Sequence, residues 1–344
     1  MGGDRAIPAL AAPEDMGSLG IMHLKRLWSR LARERLGQRD GAADHPLDQV
    51  ALYGLDLGLL ESLRFLNDGH DFAAFERWVL EANGGALDPD RVRRVNDAIV
   101  RMTGGVGDPA LELLMPAPVL GADQLAGWER DGYVVLSDAV DEPTRAAVEA
   151  ALWQALDAAP DRPASWYGRD HGHSIWTNLV HHPALRAVRR APRIRAAFAQ
   201  LWGTNDLWAT ADRAGFNPPE RPGWQFPGPH LHWDTSIALP MPFGLQGILY
   251  LTDTMAEQGA FTCVPGFQHR LTDWIAALPS GADPRQLDDE IRAAAVPIPG
   301  KAGDLIIWHH ALPHGSSPNR TDRPRLVQYL TLFPTGRHDE RPWV

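Results

Sequence analysis

The sequence predicts a helical N-terminal region followed by a mainly β sandwich or barrel with flanking helices packed around it. Two patterns carry this expectation. Before about residue 114, apolar residues recur at helical spacing. From about Leu207 onward, short apolar or alternating runs are separated by Gly and Pro clusters, the punctuation of short strands. Between them, Gly104-Gly-Val-Gly-Asp-Pro109 and Pro116-Ala-Pro118 break the helical pattern. The expected division is therefore a flexible tail over 1–20, a helical region over 21–114 and one large domain over 115–344.

Each element has its own reason. Leu24, Leu27, Trp28 and Leu31 fall at i, i+3, i+4 and i+7 of a helix that Gly37 stops. Further helices are expected over Leu55–Asn67, Phe72–Ala82 and Arg91–Met102, the last with Asp88 as cap and Pro89 in its first turn. Asp123–Asp131 reads as a short helix leading into a buried strand, Gly132–Leu136. Glu142–Ala158 reads as an Ala-rich helix opened by Pro143. Strands are expected at Leu231–Thr235, Leu245–Leu251, Ala260–Val264, Asp304–Trp308 and Leu326–Phe333.

Composition narrows the function. Of 344 residues, 44% are hydrophobic and 22% charged, which suits a packed globular protein. A formal net charge of −10 offers no general attraction to a phosphate backbone, so no nucleic-acid partner is expected. The single cysteine, Cys263, cannot form an internal disulfide and fits a reducing compartment. The N-terminus lacks a signal-peptide pattern and no apolar run reaches 18 residues, so a cytoplasmic protein with no membrane partner is expected. There is no GxSxG, Walker or GxGxxG motif.

His230-Leu-His-Trp-Asp234 is the informative segment. On a strand, His230, His232 and Asp234 would share one face, and a His and a carboxylate two apart can chelate one ion. A bare His-x-Asp is common by chance, so a polar strand face competes with that reading. The run Gly303–Asn319 adds three histidines, His309, His310 and His314, on a strand entering a turn. One of them would complete two His and one carboxylate on one face of an octahedron, a set that leaves open positions and favours non-heme Fe(II). A closed tetrahedral set would favour zinc.

Four ordered stretches, Trp128–Leu136, His232-Trp-Asp234, Gly259–His269 and His314–Arg325, together resemble the phytanoyl-CoA dioxygenase family of Fe(II)/2-oxoglutarate-dependent oxygenases, over roughly residues 120–335. The resemblance implies a double-stranded β-helix, the jelly-roll or cupin-like core. It implies His232, Asp234 and His314 as iron ligands, with Arg325 on the distal carboxylate of 2-oxoglutarate and Gln246 as a further co-substrate contact. A guanidinium fork suits that carboxylate, and Ser316, two residues after His314, could add a hydroxyl. Arg323 is the rival to Arg325. The implied cofactors are Fe(II), 2-oxoglutarate and O2, and the implied reaction is hydroxylation of an unactivated carbon of a small molecule, with succinate and CO2 as co-products. Desaturation, cyclisation and demethylation are variants. Halogenation is disfavoured because the carboxylate, Asp234, is present.

Substrate contacts are expected from His230, Trp224, Phe226 and Trp176, and a covering segment from Arg169, His171 and His173 with Trp176. Trp233 alternates away from the ligands and is expected in the core. His309, His310, the surface pair His181-His182 and Cys263 are expected in ordinary structural roles. The basic helix face of Lys25, Arg26, Arg30, Arg33 and Arg35 could meet an acidic carrier protein or a CoA phosphate, or the helices could form a homo-oligomer interface; a solvated face is the simpler explanation and is preferred. Two other classes compete: a cupin-like isomerase or hydrolase without 2-oxoglutarate, and a non-catalytic jelly-roll binding module.

Overall fold

The computed structural model describes residues 7–38, 44–111, 113–167, 175–337, 339 and 341–344. The chain forms two compact units. One takes the described residues of Met1–Leu114 with Asn205–Ala211 and Pro334–His338, and the other takes Met115–Thr204, Asp212–Phe333 and Asp339–Val344. Among the described residues the fold mixes helices with antiparallel sheets. Helices run to 14 residues and no strand exceeds six, so the expectation of a mainly β protein gives way to a mixed one. The reason is that the strands are short and the helices long.

The first unit packs the helices Leu24–Arg35, His45–Gly54, Leu59–Asn67, Phe72–Ala82 and Pro89–Met102. Caps explain the accurate starts. Asp71 accepts from Ala74 N at 2.7 Å, and Asp88 accepts from Asp90 N at 3.0 Å ahead of Pro89. The helix expected from Leu55 instead starts at Leu59, because Asp56 takes a left-handed φ of 56° and turns the chain. His45–Gly54 was not anticipated. Residues within 7–20, expected as a flexible tail, make specific bonds: Ala11 N donates to Ser29 Oγ, and Ser18 N and Oγ donate to the buried Glu76 carboxylate. The basic helix face is engaged inside the unit. Lys25 pairs with Asp15, Arg26 with Asp44 and Arg30 with Glu34 and Asp48, while Arg33 and Arg35 donate to the carbonyls of Pro8 and Leu66.

The second unit is built on a six-stranded antiparallel sheet in the order Tyr133–Leu136, Leu305–His309, Leu245–Tyr250, Arg325–Leu330, Ala214–Asn217, Trp176–Thr177. A three-stranded sheet in the order Val296–Ile298, Phe261–Cys263, His314–Ser316 accompanies it. One apolar core joins them: Ile248, Tyr250, Ile306, Trp308 and Val327 of the larger sheet pack with Phe261, Cys263 and Ile298 of the smaller. Trp233 and Cys263 lie in this core, and Trp233 Nε1 donates to Ala311 O at 2.9 Å. Among the described residues no helix is long and apolar enough to cross a membrane.

Candidate metal centre

The site begins with a short backbone link. The segment expected as a strand at Leu231–Thr235 is irregular, and it meets the smaller sheet only at His232, opposite His314. His232 N donates to His314 O at 2.9 Å and His314 N donates to His232 O at 3.0 Å. Gly315 permits this approach, since a Cβ there would lie 2.5 Å from His230 O and 3.0 Å from Pro229 O.

The side chains converge from this link. One donor atom from each of His232, Asp234 and His314 lies within 4.8 Å of the others. His232 Nε2 is 3.1 Å from Asp234 Oδ1, and His314 Nε2 is 3.2 Å from Asp234 Oδ2. Each Nδ1 is held by a main-chain carbonyl, His230 O at 2.7 Å and Leu312 O at 3.0 Å. A carbonyl only accepts, so each Nδ1 carries a proton and each Nε2 is left for the ion. Gln246 Nε2 donates to Asp234 Oδ2 at 2.6 Å, so this glutamine, expected on the co-substrate, touches the Asp234 carboxylate. Burial works against charge on Asp234, but the two imidazoles outweigh it and hold the carboxyl far below the usual carboxylate range. Burial also opposes charge on His232, and Asp234 overcomes it, leaving the imidazole above its ordinary value.

Behind the ligands lies a buried cation. Arg325 is fully buried at the start of its strand, and its Nη1 donates to Gly259 O at 2.8 Å and to Ser316 Oγ at 2.9 Å. Its Nε and Nη2 are buried without a hydrogen-bond partner, and no carboxylate among the described residues pairs with it. A buried guanidinium with spare donors suits an incoming anion. Arg323 is exposed on the preceding turn.

A cavity of about 290 Å³ joins these groups, lined by His232, Asp234, Gln246, His314 and Ser316, with Trp176, Phe261 and Trp308 among its apolar walls. Trp176 reaches it. Trp224, Phe226 and His230, expected on the substrate, are not among its lining residues, because the irregular segment turns them elsewhere: Trp224 packs on Tyr167, and Phe226 on His230. Arg169, His171 and His173 lie outside the described residues. His309 Nδ1 accepts from Ala311 N, His310 Nε2 bonds Leu245 O, and His182 caps the helix Pro183–Arg189. Asp212, Arg213 and Tyr329 also line the cavity and carry no motif that sequence reasoning could have used.

The sequence profile of the phytanoyl-CoA dioxygenase family matches residues 128–327, more than half of the chain, with the clustered His232, Asp234 and His314 and with Gln246, Ser316 and Arg325 inside it. The chain belongs to the phytanoyl-CoA dioxygenase family. Its cofactors are accordingly iron and 2-oxoglutarate, with O2 as co-substrate, and the donor set fits them: two imidazole Nε2 atoms and a carboxylate for iron, and a buried guanidinium for a dicarboxylate. Among curated relatives, the ectoine dioxygenase of Bordetella bronchiseptica is 24% identical over 175 residues, 47% of this chain and 54% of that one. The chain spans about half the length of the curated relatives it matches. Among solved structures, the epimerase SnoN, determined with Fe3+, α-ketoglutarate and nogalamycin RO, is 21% identical over 62% of this chain and 82% of its own, with a TM-score of 0.45. EctD from S. alaskensis in its apoform is 21% identical over 69% of this chain and 87% of its own, with a TM-score of 0.46.

Proposed function

We propose that this member of the family hydroxylates an unactivated carbon of a small molecule, on a double-stranded β-helix within residues 115–344. The observation that carries the reading is the triad of His232, Asp234 and His314 sharing one cavity with Ser316, behind which Arg325 is buried without a counter-ion among the described residues. Iron and 2-oxoglutarate, when bound, supply the oxidation: 2-oxoglutarate and O2 are consumed, succinate and CO2 leave, and one oxygen atom enters a substrate C–H bond.

The chain's own residues do the rest. His232, Asp234 and His314 would hold iron, and the carbonyls of His230 and Leu312 fix the two ring orientations. Gln246 holds one oxygen of Asp234 and so limits how the carboxylate can turn. Arg325, braced by Gly259 O and Ser316 Oγ, receives the distal carboxylate of 2-oxoglutarate. Phe261 and Trp308 give the cavity walls that exclude water. A carrier protein or second copy docking on the helical unit loses its electrostatic argument, since the cations of that face are engaged inside the unit.

An anaerobic titration of the iron-loaded chain with 2-oxoglutarate tests the reading. The expected result is a saturable visible charge-transfer band that is absent in His232→Ala. Iron binding without such a band would favour the cupin-like reading, and failure to bind iron would favour a binding module.

A further inference from the structure

The cavity wall carries a second carboxylate that the metal reading leaves unused. Asp212 precedes the strand Ala214–Asn217 and lines the cavity beside Arg213, Trp176 and Tyr329. Its Oδ1 accepts from Arg213 N at 2.7 Å, and among the described residues no donor reaches Oδ2. The neighbouring guanidinium does not neutralise it by contact: Arg213 lies over the Trp176 ring at 5.6 Å, and no ion pair joins it to Asp212. Burial lifts the Asp212 carboxyl above its ordinary value, and the opposing pull of the Arg213 main-chain bond and of the Arg213 and Arg189 charges does not cancel that lift, to which Asp234 adds. Asp212 is half-buried on the cavity wall with a single main-chain donor, so its carboxyl has acceptor capacity left for a group entering the cavity. It lies outside the set of His232, Asp234, His314, Ser316 and Arg325, so neither iron nor 2-oxoglutarate accounts for it.

We propose that Asp212 anchors the substrate, and that the site accepts a compact ring-containing molecule presenting a hydrogen-bond-donating group, an amine or a hydroxyl, to this carboxyl. The inference rests on the oxygenase reading of the cavity and names the substrate class for it. The ring body lies against the exposed Trp176, with the buried pair Phe261 and Trp308 forming the apolar wall behind it. The single fixed acceptor then sets which carbon is held toward the metal side of the cavity. A site built to bond a donor rejects an analogue lacking it, because its own polar group is then left unpaired.

Tryptophan fluorescence reads this without turnover, because Trp176 and Trp308 line the cavity. The probes are benzylamine, benzyl alcohol and benzyl methyl ether, titrated under argon into the iron- and 2-oxoglutarate-loaded protein. The expected result is that both donors bind at least tenfold more tightly than the ether and that Asp212→Leu abolishes the preference. Asp212→Asn keeps the preference for the alcohol and loses any excess for the amine, which separates hydroxyl from ammonium recognition and serves if the Leu variant does not fold. Equal affinities, no saturable quench by any probe, or a donor preference that survives Asp212→Leu overturns the proposal. The wild-type 2-oxoglutarate band, recorded in the same cell, reports on the oxygenase reading separately. A band without donor selectivity removes the Asp212 anchor alone; selectivity without a band removes the oxygenase reading and leaves the anchor standing.

Discussion

His232 and His314 are joined by a reciprocal pair of main-chain hydrogen bonds, 2.9 and 3.0 Å, although they lie 82 positions apart in the chain. The link is an isolated bridge, so the spacing of the two candidate metal ligands depends on two backbone bonds and on what lets them form. Gly315 is what lets them form. Replacing it with Ala puts a methyl 2.5 Å from His230 O, against backbone that cannot rotate away. The expected cost of such overpacking is about 1–3 kcal/mol, taken up by separating the two ligand segments. Gly315→Ala should therefore weaken iron binding at least tenfold while the melting temperature falls only modestly. Gly127→Ala, in the helix Ala122–Asp131 with only the Arg130 guanidinium near at 3.9 Å, is the control and should leave iron binding unchanged. Iron titration of the two variants checks both, and wild-type affinity in Gly315→Ala would show that the bridge does not set the ligand spacing.

Arg325 should govern 2-oxoglutarate binding and Arg323 should not. A charge-assisted hydrogen bond is worth about 1.5–3 kcal/mol, so Arg325→Ala is expected to weaken 2-oxoglutarate roughly ten- to a hundredfold by band titration or calorimetry. Ser316→Ala should weaken it less, because Ser316 braces one guanidinium nitrogen while Gly259 O still holds it. Arg323→Ala, on an exposed turn, should have no effect. A loss confined to Arg323→Ala would mean that the binding cation is read two residues out of register.

These residues also show what the sequence made legible. The cap at Asp88 was readable because one side chain followed by Pro89 fixes the first turn locally. The clustering of His232, Asp234 and His314 was readable because they sit in ordered motifs. The irregular backbone around them was not, since it depends on contact with Gly315 far along the chain. Asp56 hid a break for a similar reason: a left-handed Asp carries no signature as strong as glycine's. Asp212 was invisible because its meaning lies in the cavity it faces and not in its neighbours along the chain.

His309 gives the chain a predictable acid sensitivity away from the metal. Its Nδ1 accepts from Ala311 N at 2.9 Å, and its ring packs among Trp128 and Phe243 at 6.3 and 5.3 Å. Burial in that aromatic setting, with a smaller push from His269, lowers its pKa to about 4. Protonation would remove the acceptor and put a charge among rings. The unfolded chain, titrating near 6.5, binds the proton first, so stability rises with pH across this window. The contribution is fully present above about pH 6.5 and is lost as the pH falls toward 4. Each tenfold difference in proton affinity between the two states corresponds to about 1.4 kcal/mol, so the loss attributable to His309 reaches roughly 3 kcal/mol. Urea unfolding of the metal-free chain at pH 7 and pH 4.5 should show a larger drop for wild type than for His309→Asn, which keeps a polar side chain but cannot titrate. Equal drops in the two proteins would show that His309 enters the unfolded and folded states with the same proton affinity.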